Sequence, residues 1–180
     1  MPTASNRMSL ILGGARSGKS TFAEALVMRE PAPWIYIATA ETFDAEMAER
    51  IAEHRRRRGP QWTTIEAPRD LAGLIEHQVV GGAPVLVDCL TLWLSNVMLA
   101  DLDVAAQTDR LVTTLEVAAG QSARIVLVSN EVGLGIVPDN ALGRRFRDAQ
   151  GRLNQRVATL AGHVVFMAAG LPMVLKTGGG

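Results

Sequence analysis

A single loop limits what this chain can fold into. "ILGGARSGKSTFAEALV", Ile11–Val27, runs from a short apolar stretch through Gly13-x-x-x-x-Gly18-Lys19-Ser20 into a helical pattern. Gly13, Gly14 and Gly18 let the backbone curl, so that successive amides across Ala15, Arg16 and Ser17 can turn inward onto phosphate oxygens. The following helix adds the partial positive charge of its N-terminus. Lys19 is placed to reach the β- and γ-phosphates, and the Ser20 hydroxyl to complete a Mg²⁺ shell. A chance match with a glycine-rich strand–helix turn is the competing explanation, and the strand and helix patterns that flank the loop count against it. Lys19 and Lys176 are the only lysines in a chain otherwise supplied with arginine. The stretch predicts binding of a nucleoside triphosphate.

The rest of the chain alternates strand-length apolar runs with helical patterns. Strands are expected at Ser9–Leu12, Trp34–Ala38, Trp62–Glu66, Val85–Asp88, Arg124–Ser129, Val164–Ala168 and Met173–Lys176. Helices are expected near Lys19–Arg29, Phe43–Arg57, Asp70–Val79, Thr91–Leu99, Val104–Ala119 and Asn140–Gly162. This order predicts an α/β fold, a mostly parallel central sheet with helices on both faces. The last two strands lie close enough for a hairpin around Ala169–Pro172, which makes one edge strand antiparallel. We read residues 1–180 as one catalytic domain with frayed ends at 1–7 and 177–180.

Composition narrows the partners. Lys and Arg total 18 and Asp and Glu total 18, so no basic excess points to nucleic acid. No apolar run is long enough to insert in a membrane, and a soluble, cytoplasmic protein is expected. Cys89 is the only cysteine and sits in "VLVDCLTLWL", where a buried inert thiol is expected.

A phosphate loop needs an acidic partner at the end of a neighbouring strand. Asp88, after "VLV", can hold Mg²⁺ or its water, or can cap the helix that follows. In "RIVLVSNEVG", Ser129, Asn130 and Glu131 fall just past a strand's C-terminal end, where open α/β sheets place their ligands. Glu131 is a candidate general base toward an acceptor hydroxyl, or a residue that fixes its own loop.

"IAEHRRRRGP", Ile51–Pro60, is the second unusual stretch. Phe43, Met47 and Ile51 stand four apart, and His54 continues their row toward Arg58. The arginines can be cations complementing a helix C-terminus, a lid over a triphosphate, or the electrostatic setting of a reactive imidazole. The other histidines, His77 in a helical pattern and His163 before an apolar strand, read as structural.

Together, these segments resemble the bifunctional adenosylcobinamide kinase / adenosylcobinamide-phosphate guanylyltransferase family of cobalamin biosynthesis. The resemblance runs from about Met8 to Lys176 and rests on "GGARSGKS", "YIATAE", "HRRRRGPQWTTIEAP", "VLVDCLTLWLSN", "VSNEVGLGIVPDNALGRRFRDAQGRLNQRVA" and "GLPMVLK". It implies a RecA-like P-loop fold and two reactions, with ATP and GTP as substrates and Mg²⁺ as cofactor. In the first, the aminopropanol hydroxyl of adenosylcobinamide is phosphorylated. In the second, GMP passes from GTP through a guanylyl-histidine, at the position matching His54, onto adenosylcobinamide phosphate. The resemblance further implies nucleotide contacts at Gly13–Ser20, at Ala38, Thr39 and Ala40, at Arg55, Arg56, Arg57 and Arg58, and at Glu66 and Asp88. It also implies a homo-oligomer, a trimer. A simple P-loop small-molecule kinase with an arginine lid is the alternative.

Overall fold

The computed structural model describes residues 6–41, 58–121 and 124–178. The expected helix Phe43–Arg57, with His54, Arg55, Arg56 and Arg57, lies outside the described residues. Seven strands form one sheet: β1 (Met8–Gly13), β2 (Trp34–Ala38), β3 (Trp62–Glu66), β4 (Val85–Asp88), β5 (Ile125–Asn130), β6 (His163–Ala168) and β7 (Leu171–Lys176). Five helices are described: α1 (Lys19–Val27), α2 (Leu71–Val79), α3 (Leu90–Leu99), α4 (Val104–Ala119) and α5 (Ala141–Leu160).

The strand order is β3-β2-β4-β5-β1-β6-β7. All pairs are parallel except β6–β7. β1 carries the loop at its end and lies inside the sheet between β5 and β6, and every one of its residues is buried. Side chains alternate between the two faces, as the pleat requires. Leu10, Ile37, Val85, Val87 and Leu127 enter a large cluster with residues of α2, α3, α4 and α5. Ile11, Tyr36, Ala38, Leu86, Val126, Val165 and Met167 enter a smaller one with Ala23, Leu26 and Val27 of α1. Each fully buried Leu, Ile or Val contributes about 1.5–3 kcal/mol relative to exposure. Helices cover both faces; among the described residues α1 covers the second, with Leu92 of α3 packed against it as well.

Helix ends follow local chemistry. Asp70, Asp103 and Asn140 cap α2, α4 and α5 by accepting from the N–H groups of Gly73, Ala106 and Gly143. α5 buries Gln150, Leu153, Asn154 and Val157, one stripe at helical spacing on an otherwise polar helix. In α1 the capping position is Gly18, which has no side chain to accept a first-turn N–H. That is the arrangement expected where an anion is the natural partner of a helix N-terminus.

The hairpin prediction holds. Ala169 and Gly170 both have positive φ, 51° and 80°, which matches the right-handed twist of a two-residue turn. Pro172 is accommodated because β7 pairs on one side only. Among the described residues, no helix is long and apolar enough to cross a membrane.

Candidate active site

The phosphate loop sits where β1 ends and α1 begins. Gly13 has φ 151°, and a Cβ there would meet the Met167 carbonyl oxygen at 2.5 Å and Ser17 Oγ at 2.7 Å. Gly18, at φ 92°, lies in the left-handed region. The β6–β7 turn braces the loop from outside, since Gly170 N–H donates to the Ser17 carbonyl at 3.1 Å. Gly13→Ala should therefore cost on the order of 2–3 kcal/mol, lowering the melting temperature by roughly 5–10 °C. A melting curve unchanged from wild type would show that the loop can shift to admit a methyl group.

Lys19 is buried at 8% exposure, and its ammonium donates to the Gly14 carbonyl at 2.5 Å. Burial holds that ammonium below the usual lysine range, with the Asp88 carboxylate among the charges opposing the shift. Asp88 is thus close enough to Lys19 to act on it electrostatically. Cys89, rather than Asp88, occupies the capping position of α3, without a side-chain bond. The Asp88 carboxylate instead accepts from the Tyr36 hydroxyl at 2.9 Å.

Asp88 and Cys89 are joined by a cis peptide bond, and the turn is clamped by Thr39. The Thr39 hydroxyl donates to the Cys89 carbonyl at 2.7 Å and accepts from Cys89 N–H at 2.8 Å. Asn96 Nδ2 in turn donates to the Thr39 carbonyl at 2.7 Å. Thr39 is fully buried, so its side chain serves this clamp, while Ala40 is half-buried at the sheet edge. Nothing in the periodicity announces these contacts, which join residues 50 and 57 positions apart.

Burial, reinforced by the Asp88 charge, pushes the Cys89 thiol up to about 11. At pH 8 iodoacetamide should leave the folded protein unmodified over the time in which it alkylates the urea-unfolded chain. The linkage has a definite sign. Below pH 9 the thiol is protonated in both states and this contribution to stability is complete. Between about 9 and 11 the unfolded thiol ionises first, and the contribution is lost as pH rises. Fast labelling of folded protein at pH 8 would contradict the buried placement.

A second polar network lies under the end of β5. Ser129 Oγ donates to Asn154 Oδ1 at 2.7 Å, and Gln150 Nε2 donates to both, each at 2.9 Å. Thr91 Oγ1 accepts from Asn130 N–H at 2.8 Å. Together these bonds tie β5 to α3 and α5. Glu131 N–H donates to the Gly13 carbonyl at 3.1 Å, which puts this residue beside the first loop glycine. Its Oε1 accepts from Gly133 N–H at 2.6 Å, so part of the carboxylate fixes its own loop.

Of the arginine run, Arg58 is described. Its side chain is only 6% exposed, with the guanidinium 3.2 Å from the centre of the Tyr36 ring. Glu24 Oε1 lies 3.4 Å from Arg58 Nε, an ion-pair distance without hydrogen-bond geometry, and Nη1 reaches Thr64 Oγ1 at 3.3 Å. Glu66 is exposed at the end of β3 and shares a cleft of about 660 Å³ with Glu41, Arg69, Asp70, His77 and Arg110. His77, expected to be structural, is exposed in the last turn of α2, where a basic group complements the helix C-terminus. His163 is half-buried in β6, opposite Ser9.

A phosphate loop, a buried lysine and an aspartate at the carboxyl edge of a parallel sheet define a P-loop nucleotide-binding protein. The fold resembles the flagellar accessory protein FlaH from Methanocaldococcus jannaschii, with a TM-score of 0.55 at 12% identity, over 97% of this chain and 80% of that one. Residues 9–175 match the family described as cobinamide kinase / cobinamide phosphate guanyltransferase, and the chain belongs to it. It is 48% identical over 167 residues to the bifunctional adenosylcobalamin biosynthesis protein CobP of Pseudomonas aeruginosa, covering 93% of this chain and 96% of that protein. It is 40% and 38% identical to the bifunctional adenosylcobalamin biosynthesis proteins CobU of Salmonella typhimurium and Escherichia coli. Each of those two matches covers 94% of this chain and 99% of the relative.

Proposed function

We propose that this chain phosphorylates the aminopropanol hydroxyl of adenosylcobinamide with ATP or GTP and then carries GMP from GTP, on His54, to adenosylcobinamide phosphate. The products of the second reaction are adenosylcobinamide-GDP and pyrophosphate. Membership of the family supports the pair of activities. The observation that supports the site assignment is the placement of Asp88 at the carboxyl end of β4, the same edge of the parallel sheet at which the phosphate loop leaves β1.

Ser20 and Asp88 fit a magnesium ion by the chemistry of their donors, a hydroxyl and a carboxylate oxygen. Among the described residues no group of three or more metal-binding side chains occurs. An ion held by these two residues would draw further oxygens from the triphosphate and water, the habit of magnesium in phosphoryl transfer. When bound, it would offset charge on the phosphates.

In the kinase step the acceptor oxygen bonds to the γ-phosphorus as the bond to the β-phosphate oxygen breaks. Lys19 holds the leaving phosphate, and Glu131 is the candidate to take the hydroxyl proton. In the second reaction an imidazole nitrogen of His54 attacks the α-phosphorus and pyrophosphate leaves. A phosphate oxygen of the corrinoid then displaces the imidazole. His54 is four positions before Arg58. Arg55, Arg56 and Arg57 neutralise phosphate charge, while Arg58 is held on the Tyr36 ring instead, and Ala38–Ala40, Glu66 and Asp88 complete the nucleotide contacts.

The chain acts as one domain and as a homo-oligomer, which we take to be a trimer. Leu171, Met173, Val174 and Leu175 on β7 support association, since all four are more than half exposed. Sedimentation of a monomer would contradict it. Nucleoside triphosphates as substrates fit work in the cytoplasm.

Incubation with GTP labelled at the α- or the γ-phosphate, followed by denaturation, tests the reading. Covalent label from the α-position alone, labile to acid and stable to base, is expected. A wild-type protein that binds GTP but retains no α-label would leave a kinase with an arginine lid.

A further inference from the structure

We propose that Tyr36 is a positioning residue for phosphoryl transfer: its hydroxyl fixes one oxygen of Asp88, and Arg58 clamps its ring in the orientation that makes this bond. The inference rests on Asp88 serving the metal, as argued above, and adds a residue that holds Asp88 in place.

The geometry begins with the pleat. Tyr36 on β2 pairs with Leu86 on β4, so Asp88, two residues further on, lies on the same face. The phenol reaches along the strands and its oxygen lies 2.9 Å from Asp88 Oδ2. Tyr36 is 6% exposed, so water does not compete freely for this bond. A carboxylate oxygen can only accept, so the phenol is the donor in this bond. One carboxylate oxygen is thus committed, and the second remains for the metal or its water.

A hydroxyl bond positions a carboxylate only if the ring itself cannot turn. Arg58 lies over one face of it at 3.2 Å, a contact in the cation–π range, and Trp62 meets it edge-on with centroids 6.3 Å apart. Arg58 is oriented by Thr64 and Glu24, so β3 and α1 both contribute to holding the phenol. Groups that orient a metal ligand typically change metal affinity by about 10- to 100-fold when removed.

Tyr36→Phe keeps the ring and removes the bond. With adenosylcobinamide and ATP, the Mg²⁺ concentration giving half-maximal phosphorylation should rise about 10-fold or more. The same variant should lose most of the tightening of ATP binding that Mg²⁺ produces, read by calorimetry with ATP in Mg²⁺ and in EDTA. Asp88→Asn serves as the reference. If Asp88→Asn weakens the Mg²⁺ response and Tyr36→Phe shifts it less than about twofold, Tyr36 does not position Asp88. If neither variant changes it, Asp88 is not the metal residue and the proposal falls with that assignment. An isosteric probe covers the case in which the phenylalanine variant misfolds. Tyr36 is the only tyrosine in the sequence, so 3-fluorotyrosine incorporation gives one ¹⁹F resonance. That resonance should move more with ATP plus Mg²⁺ than with ATP in EDTA, and identical spectra would overturn the proposal.

Discussion

With His54 replaced by alanine, the denatured protein should carry no label from α-phosphate-labelled GTP, and guanylyl transfer should fall by roughly 10³-fold or more. The size of the effect follows from the bond that is lost. Alanine offers no atom to accept the guanylyl group, and binding energy from the phosphate loop cannot replace a nucleophile. Circular dichroism and the melting temperature establish that the variant is folded. Measuring γ-phosphoryl transfer on the same sample separates the two reactions. Loss of that transfer together with the label would mean that His54 supports nucleotide binding as a whole. Full retention of the label would move the covalent site to another residue.

Lys19→Ala should lower kcat of the kinase step by about 10²- to 10³-fold, as removal of one preorganised charge donor does elsewhere. Its side chain is desolvated among loop atoms, with the ammonium on the Gly14 carbonyl and Ser17 Oγ 3.5 Å away. A cation held in that setting acts strongly on leaving-group charge, because little water screens it. The effect should appear in kcat more than in KM. A variant with unchanged kcat and raised KM would assign the lysine to ground-state binding only.

Much of the fold was legible because it is written in local pattern. "WIYIA", "WTTIE" and "VLVD" form strands over the expected residues, and α4 matches its expected span. The loop was legible because glycine, lysine and serine at that spacing serve one chemistry. Strand order was not legible, since the insertion of β1 between β5 and β6 is decided by tertiary packing. The same holds for the bracing of Ser17 by Gly170, which follows from a hairpin about 150 residues downstream closing on the loop. Asp88 illustrates the middle case. Its residue type and position marked it as a candidate, but that it does not cap the following helix is seen only in the structure, where Cys89 takes the capping position of α3 and the Asp88 carboxylate accepts from Tyr36.

The aromatic corner beside Tyr36 has an optical consequence. The sequence contains three tryptophans. Trp93 is 1% exposed, with its indole N–H on the Arg69 carbonyl, which makes it a fixed background emitter. Trp34 and Trp62 lie 5.3 Å apart with their planes inclined at 48°, close enough for their ultraviolet transitions to couple. Trp62 also touches Tyr36, and Tyr36 bonds Asp88. With the phenol clamped, the near-ultraviolet dichroism of the tryptophan pair reports the packing of β2 against β3, so the integrity of this corner can be followed in unlabelled protein.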